Sequence, residues 1–125
     1  MDKEQALHQF WSSFGLTAYD ENTVPDNALT TNGGKYLTYN VATGALNEIV
    51  PLYANLWYKS SSWAEITTKA NELSEAIGRR GAIVPFDGGK IWICRGNQFS
   101  QRMPDEDDTI RRIYINVTAE YMSAN

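Results

Sequence analysis

The pattern of apolar and polar positions is clearest between residues 50 and 78, where it predicts a strand followed by an amphipathic helix. Successive strand side chains point to opposite sides, so alternate residues share a face. The apolar face holds Leu52, Ala54, Leu56 and Tyr58, and the other face holds Tyr53, Asn55, Trp57 and Lys59. In the helix, apolar positions recur every three or four residues. They are Trp63, Ile66, Ala70, Leu73 and Ile77.

The boundaries of this helix are also predicted by local residue types. Ser62 and Glu65 have the spacing of a capping box, in which a hydroxyl and a carboxylate each accept a backbone N–H. Gly78 is a natural stop, because glycine readily adopts the left-handed conformation that ends many helices. A second amphipathic helix is predicted from Lys3 to Phe14, with Asp2 as its N-cap.

Four further strands are predicted from alternating or continuous apolar runs. They cover residues 36–41, 82–86, 90–95 and 110–122. Asp87, Gly88 and Gly89 predict a tight hairpin between the second and third of these strands, because such turns require positive φ angles. The predicted order is α-β-β-α-β-β-β, an α+β fold with two helices packed on one face of a mostly antiparallel sheet.

Two stretches, about 16–35 and 96–109, lack periodicity and are predicted to be long loops in a single domain that spans residues 1–125. The first is rich in Asn, Asp, Gly and Pro. A loop of this length is uncommon in a small domain and is usually functional or disordered. We expect either a mobile surface loop or a segment that becomes ordered against a neighbouring subunit.

Composition narrows the functional classes. With 125 residues, 42% hydrophobic and 21% charged, the chain is typical of a soluble globular protein. Its net charge of −4 argues against a general nucleic-acid binder, which needs a basic surface. No apolar run reaches the ~18 residues of a membrane span, and the polar N-terminus does not resemble a secretory signal. Four Trp and seven Tyr suit a protein–protein interface.

Candidate catalytic residues are scarce. His8 and Cys94 are the single histidine and the single cysteine, and neither has a partner at a spacing typical of catalysis or metal binding. We therefore expect no enzymatic activity and no metal or other cofactor. The acidic run 105–108 lacks the glycine and the distal glutamate of a calcium loop. It is either solvated or in contact with arginines of a neighbour.

Blocks of residues along nearly the whole chain resemble small proteins encoded in the morphogenesis clusters of tailed phages and prophages. The blocks are 7–15, 18–25, 36–39, 56–63, 89–96 and 101–114. Together with the predicted element order, they resemble the tail terminator, or tail completion, proteins of long-tailed (siphovirus-type) phages and prophages. These motifs are core and loop residues, so they point to a family more than to a mechanism.

The resemblance implies assembly and not catalysis. Such proteins form a ring, usually six-fold, that stops polymerisation of the tail tube and presents the tail to the head connector. The expected partners are other copies of the chain, the tail-tube protein and the head–tail connector protein. The expected location is the host bacterial cytoplasm during assembly and then the virion tail or neck. The alternatives are a head-completion or minor capsid connector protein and, from another class, a small enzyme or ligand-binding domain.

The two predicted loops and nearby arginines are the candidate interface. The candidate residues are Tyr19, Pro25, Arg79, Arg80, Arg102, Asp105, Glu106, Asp107 and Asp108. The acidic residues of one subunit could face the arginines of the next. Unlike charges on different surfaces favour a head-to-tail contact and disfavour a symmetric pair.

Overall fold

The protein forms one six-stranded mixed sheet with three helices, in a computed structural model that describes residues 1–45 and 47–123. The elements are α1 (Lys3–Ser12), β1 (Ala18–Asp20), α2 (Ala28–Thr31), β2 (Lys35–Tyr39), β3 (Ile49–Lys59), α3 (Ala64–Ile77), β4 (Ala82–Phe86), β5 (Gly89–Met103) and β6 (Ile110–Ser123). The strand order is β1-β2-β3-β6-β5-β4. Neighbouring strands are antiparallel except β1 and β2, which are parallel.

The core lies between one face of the sheet and the helices α1 and α3. Both predicted helical stripes contribute to it, and so does the predicted apolar face of β3. The largest fully buried side chains are Trp11, Tyr121, Leu7, Leu37, Leu52, Leu56, Ile66, Leu73, Ile77, Ile91, Ile93 and Ile115. Two helices on one face of the sheet are therefore confirmed, because apolar periodicity determines which sides of these elements must avoid water.

The helix boundaries confirm one predicted cap and correct another. Asp2 caps α1 and forms a capping box with Gln5, although the helix ends at Ser12, two residues earlier than predicted. The capping box predicted for α3 is wrong: the Ser62 hydroxyl accepts the N–H of Ala64 at 3.1 Å. The carboxylate of Glu65 instead lies 3.5 Å from the ammonium of Lys35.

The predicted loop at about 16–35 is the first correction to the fold. It contains the short strand β1 and the four-residue helix α2, so the element order is α-β-α-β-β-α-β-β-β. Hydrogen bonds continue past both ends of β1: Leu37 N donates to the carbonyl of Thr17, and Glu21 N donates to the carbonyl of Tyr39, each at 2.9 Å. Pairing with β2 thus orders a segment that has turn-like composition.

The predicted loop at about 96–109 is the second correction. Strand β5 continues to Met103, and only the segment 104–109 lies outside the strands. The register against β6 shifts between Arg95 and Ser100, which marks a bulge. At Gly96 a Cβ atom would lie 3.0 Å from the Asn116 backbone and side chain, so glycine permits the close approach there. None of the described helices is long and apolar enough to cross a membrane.

Candidate functional site

The face of the sheet opposite α1 and α3 carries a layer of aromatic and polar side chains, and we call it the open face. Its residues alternate in sequence with those of the core face. From β2, β3 and β6 it receives Tyr36, Thr38, Tyr53, Asn55, Trp57, Arg112, Tyr114 and Asn116. Most of these side chains are half-buried, although α1 and α3 pack on the other face of the sheet. Contacts between neighbouring side chains of this face contribute to their burial.

A row of ring contacts crosses the open face from β1 to β6. Tyr19 meets Tyr36 edge-on, with centroids 5.9 Å apart. Tyr36 stacks on Trp57 at 6.0 Å with an interplanar angle of 10°. The Arg112 guanidinium lies 4.9 Å from the Trp57 ring centroid, where the negative ring face attracts a cation. Trp, Tyr and Arg are the residue types that dominate binding energy at protein interfaces.

Two buried polar side chains support this row. Asn55 is 6% exposed, and its Oδ1 accepts from Nε of Arg112 at 2.9 Å. Thr38 is 5% exposed, and its Oγ1 accepts from Nε1 of Trp57 at 3.0 Å. A buried polar atom without a partner costs about 1–3 kcal/mol. The positions of Arg112 and Trp57 are therefore fixed by the atoms beneath them.

The open face also carries exposed apolar side chains at its other end. Four large apolar residues are strongly exposed in the described chain, and three of them, Ile49, Ile83 and Trp92, lie on this face. Trp92 is 39% exposed, and its Nε1 donates to the carbonyl of Arg80 at 2.7 Å. That bond holds the turn between α3 and β4 against the sheet.

The acidic loop, residues 104–109, is an ordered turn. Asp105 accepts the backbone N–H of Asp107 at 3.0 Å. One carboxylate oxygen of Asp107 accepts from Thr109, from the backbone N at 2.8 Å and from Oγ1 at 2.7 Å. These bonds favour the charged carboxylate and lower the pKa of Asp107. Glu106 and Asp108 are exposed, so the loop presents fixed negative charge to solvent.

The acidic loop and the α2 segment lie together at one end of the sheet. They line a cleft of about 550 Å³, with Asp26 and Leu29 on one side, Asp107 and Thr109 on the other, and Lys59 between them. The exposed Pro25 immediately precedes this segment. Residues from the two predicted loops are thus brought into one surface, which the sequence alone did not indicate.

The three candidate arginines lie elsewhere. Arg79 and Arg80 are exposed in the turn before β4, at the opposite edge of the sheet from α2. The guanidinium of Arg102 lies 4.7 Å from the ring of Trp63, on the helix-covered side. Within the described part of the chain, no ion pair joins these arginines to the acidic loop. Their pairing with the loop of a neighbouring subunit stays a prediction.

The structure also shows the surroundings of His8 and Cys94, the single histidine and the single cysteine. Nδ1 of the exposed His8 is 3.1 Å from the Tyr39 hydroxyl. Cys94 is half-buried, and desolvation raises the pKa of its thiol, which disfavours the reactive thiolate. No cluster of three or more His, Cys, Asp or Glu side chains suited to a metal ion occurs among residues 1–45 and 47–123.

The open-face row was the main feature that sequence reasoning missed. Alternation in β3 correctly placed Tyr53, Asn55 and Trp57 opposite the core, but that pattern is also typical of a solvated face. Nothing in the local sequence distinguishes Arg112 from the other arginines. Its position over Trp57 depends on the pairing of β3 with β6, whose partners are far apart in sequence.

Comparison with solved structures finds a chain from the "Virion of native gene transfer agent (GTA) particle". The match has a TM-score of 0.58 and 18% sequence identity, and it covers 94% of this chain and 90% of that chain. At this identity the likeness shows a shared fold over almost the full length of both chains. Neither a family model nor a curated protein matches the sequence.

Proposed function

We propose that this chain is a structural protein of a phage or phage-like virion, and that it acts as a tail terminator. In this role it forms a ring that caps the tail tube and joins it to the head connector. The observation that carries the proposal is the shared fold with a chain of the gene transfer agent virion, over 94% of this protein. The family resemblance of the sequence blocks points the same way.

The surface chemistry supports an assembly role. The open face combines Tyr36, Trp57 and Arg112 in a row whose geometry is fixed by buried polar atoms. A preorganised row of this kind loses little side-chain entropy when a partner docks, which favours binding. Closed rings also suit this task, because a ring presents its contact surface with the symmetry of the tube it meets.

The acidic loop is the proposed contact with a partner at the end of the sheet. Its turn bonds hold the backbone, while the side chains of Glu106 and Asp108 make no hydrogen bond or ion pair within the described chain. Those two carboxylates are therefore available to arginine or lysine side chains of a partner protein. Charge at such a contact mainly governs partner choice and the rate of association.

Tube capping by the purified protein tests this proposal. A phage tail-tube protein from the same source as this chain is polymerised with and without it, and tube lengths and ends are measured by negative-stain electron microscopy. We expect shorter tubes with a ring at one end. Tubes of unchanged length with bare ends would contradict the terminator role. Binding of the protein to the head connector, with tubes unaffected, would instead identify a head-completion protein.

The double variant Glu106→Lys and Asp108→Lys tests whether the acidic loop is the contact. It should permit longer tubes and leave thermal stability within about 0.5 kcal/mol of the parent, because both side chains are exposed and unpaired. Asp107 is kept, since its carboxylate holds the turn. Normal capping by this variant would show that the loop is not the contact.

A further inference from the structure

Charge is divided unevenly between two segments of the chain. Residues 16–34 contain Asp20, Glu21 and Asp26 and no lysine or arginine. Residues 76–103 contain five basic side chains and one acidic side chain, Asp87. The basic side chains are Arg79, Arg80, Lys90, Arg95 and Arg102. The overall charge of −4 therefore conceals one acidic and one basic region.

The edge strands of these two regions lie on opposite sides of the sheet, whereas Arg102 lies further along β5, beside Trp63. The first contains β1 and the second contains β4, the two edge strands of the sheet. Neighbouring strands lie about 4.8 Å apart, so five intervals separate the edges by about 24 Å. That span prevents the two regions from neutralising one another within a subunit. We call the surface around Asp20 and Glu21 the acidic edge, whereas Asp26 lines the cleft beside the acidic loop.

The basic edge is a fixed patch with an apolar centre. We define it by Arg79, Arg80, Ile83 and Trp92. At Gly81 the backbone has φ +81° and lies so close to the sheet that a Cβ would meet Nε1 of Trp92 at 2.6 Å. Ile83 is 55% exposed beside the arginines. An exposed aliphatic and aromatic pair flanked by arginines has the composition of an interface hot spot.

The two edges lie at nearly the same height along the strand direction. We measure this height, or level, by the β6 residue with which each edge is in register. Glu21 accepts the hydroxyl of Tyr53 at 2.6 Å, and Tyr53 is paired with Asn116 on β6. On the other side, Gly81 packs against Cys94, which is paired with Thr118. The two levels differ by two residues on β6, or about 7 Å.

The acidic loop lies at a different level. It precedes Ile110, which is eight residues from Thr118 along β6, or about 27 Å. A rotation about an axis that runs along the strands leaves the level of every atom unchanged. In a ring built around such an axis, the basic edge meets the acidic edge of the next copy and not its acidic loop.

We propose that the basic edge of one copy binds the acidic edge of a second copy, so that subunits join head to tail through opposite edges of the sheet. Such a contact is heterologous, and it closes into a ring when the rotation permits. Like charges disfavour pairing of two identical edges. This inference deepens the proposed function, because it names the subunit contact of the ring, and it leaves the acidic loop free for an axial partner.

Chemical cross-linking of cysteine pairs tests the contact directly. In a Cys94→Ser background, Thr23→Cys marks the acidic edge and Ile83→Cys marks the basic edge, while every charged residue is kept. A short bismaleimide cannot join the two positions within a subunit, because the edges are about 24 Å apart. We expect a ladder of covalent dimers and larger multimers on a denaturing gel. Cross-linking also captures weak, transient association, so a free protein that is mostly monomeric still gives a result.

Two control pairs in the same background set the baseline. Glu106→Cys with Ile83→Cys reports the competing contact between the acidic loop and the basic edge. Glu75→Cys with Ile83→Cys reports random encounter, because Glu75 is exposed on α3. The edge pair should react about tenfold faster than both controls. A rate equal to that of the Glu75 pair would overturn the inference, and a faster rate for the Glu106 pair would assign the neighbour contact to the loop.

Charge reversal separates attraction from mere proximity. Adding Arg79→Glu and Arg80→Glu to the edge pair should slow its cross-linking about tenfold. Raising the salt concentration should slow cross-linking of the edge pair without these substitutions, because the Debye length falls from about 8 Å at 0.15 M to about 3 Å at 1 M. An unchanged rate in both experiments would overturn the charge argument. Tube capping without edge cross-links would reject this contact alone, whereas edge cross-links without capping would reject the terminator role alone.

Discussion

On the face of the sheet covered by α1 and α3, Leu52, Ala54 and Leu56 of β3 are at most 1% exposed, whereas on the open face Tyr53 and Trp57 are only half-buried. The same strand therefore faces two different environments. The covered face excludes water by packing a second layer against it. The open face reduces exposure through contacts between its own neighbours. The difference suggests that the covered face determines stability and the open face is available for recognition.

The type of interaction also differs between the faces. Apolar packing on the covered face has no preferred partner, so its strength follows the area removed from water. On the open face each contact is directional, as in the bond from Arg112 to Asn55 and the one from Trp57 to Thr38. Directional contacts fix positions while adding modest stability. Substitutions on the two faces should therefore have effects of different size.

The largest effect is expected from Leu73→Ala in α3. Leu73 is fully buried, so its truncation leaves a cavity and should lower the free energy of unfolding by about 2–5 kcal/mol. Urea unfolding followed by circular dichroism measures the change. Leu73→Met is the matched control, because it nearly conserves volume and should cost less than about 1.5 kcal/mol. An unchanged unfolding midpoint for Leu73→Ala would show that this face is not the core.

A smaller effect is expected from Arg112→Ala on the open face. The substitution leaves Oδ1 of the buried Asn55 without its partner and removes the cation above Trp57, at a cost of about 1–3 kcal/mol. Arg112→Lys keeps the charge but not the guanidinium geometry and should recover only part of the loss. If Arg112→Ala is as stable as the parent protein, the lateral network of the open face contributes nothing to folding.

The smallest effect concerns pH and Tyr58, on the covered face. Burial raises the pKa of this phenol from 10.0 to about 12, so the folded state holds the proton more tightly than the unfolded state. The resulting stability is fully present below pH 10 and is lost as pH rises towards 12. Comparing urea midpoints at pH 9 and pH 11, we expect a smaller decrease for Tyr58→Phe than for the parent. Equal decreases would show that Tyr58 ionises alike in both states.

The parts of the fold that were predictable are those with their own periodicity. The alternation from Leu52 to Tyr58 and the stripe from Ile66 to Ile77 each determine which side is buried, whatever their partners are. The strand β1 has no such pattern, because residues 18–20 are too few to alternate and depend on hydrogen bonds from β2. Residues 96–99, part of the predicted loop, likewise lack periodicity, but β6 offers a continuous partner and makes them a bulge within β5.

The candidate site was predictable only in part, for the same reason. The exposed charges of Arg79, Arg80 and the acidic loop are evident from composition. Their separation is not, because it depends on a sheet order in which β6 is inserted between β3 and β5. That order also makes neighbours of Trp57 and Arg112, which are 55 positions apart in the sequence. Sequence-local reasoning has no means of ranking such long-range pairs.

The position of β6 has a consequence for biosynthesis. It follows the other five described strands along the chain, yet it pairs on both sides, with β3 and with β5, at the centre of the sheet. Until residues 110–123 emerge, the nascent chain can form only two separate groups of strands, β1 to β3 and β4 with β5. Each group then exposes a strand edge that can pair with another chain. The sheet can therefore be completed only after β6 has left the ribosome.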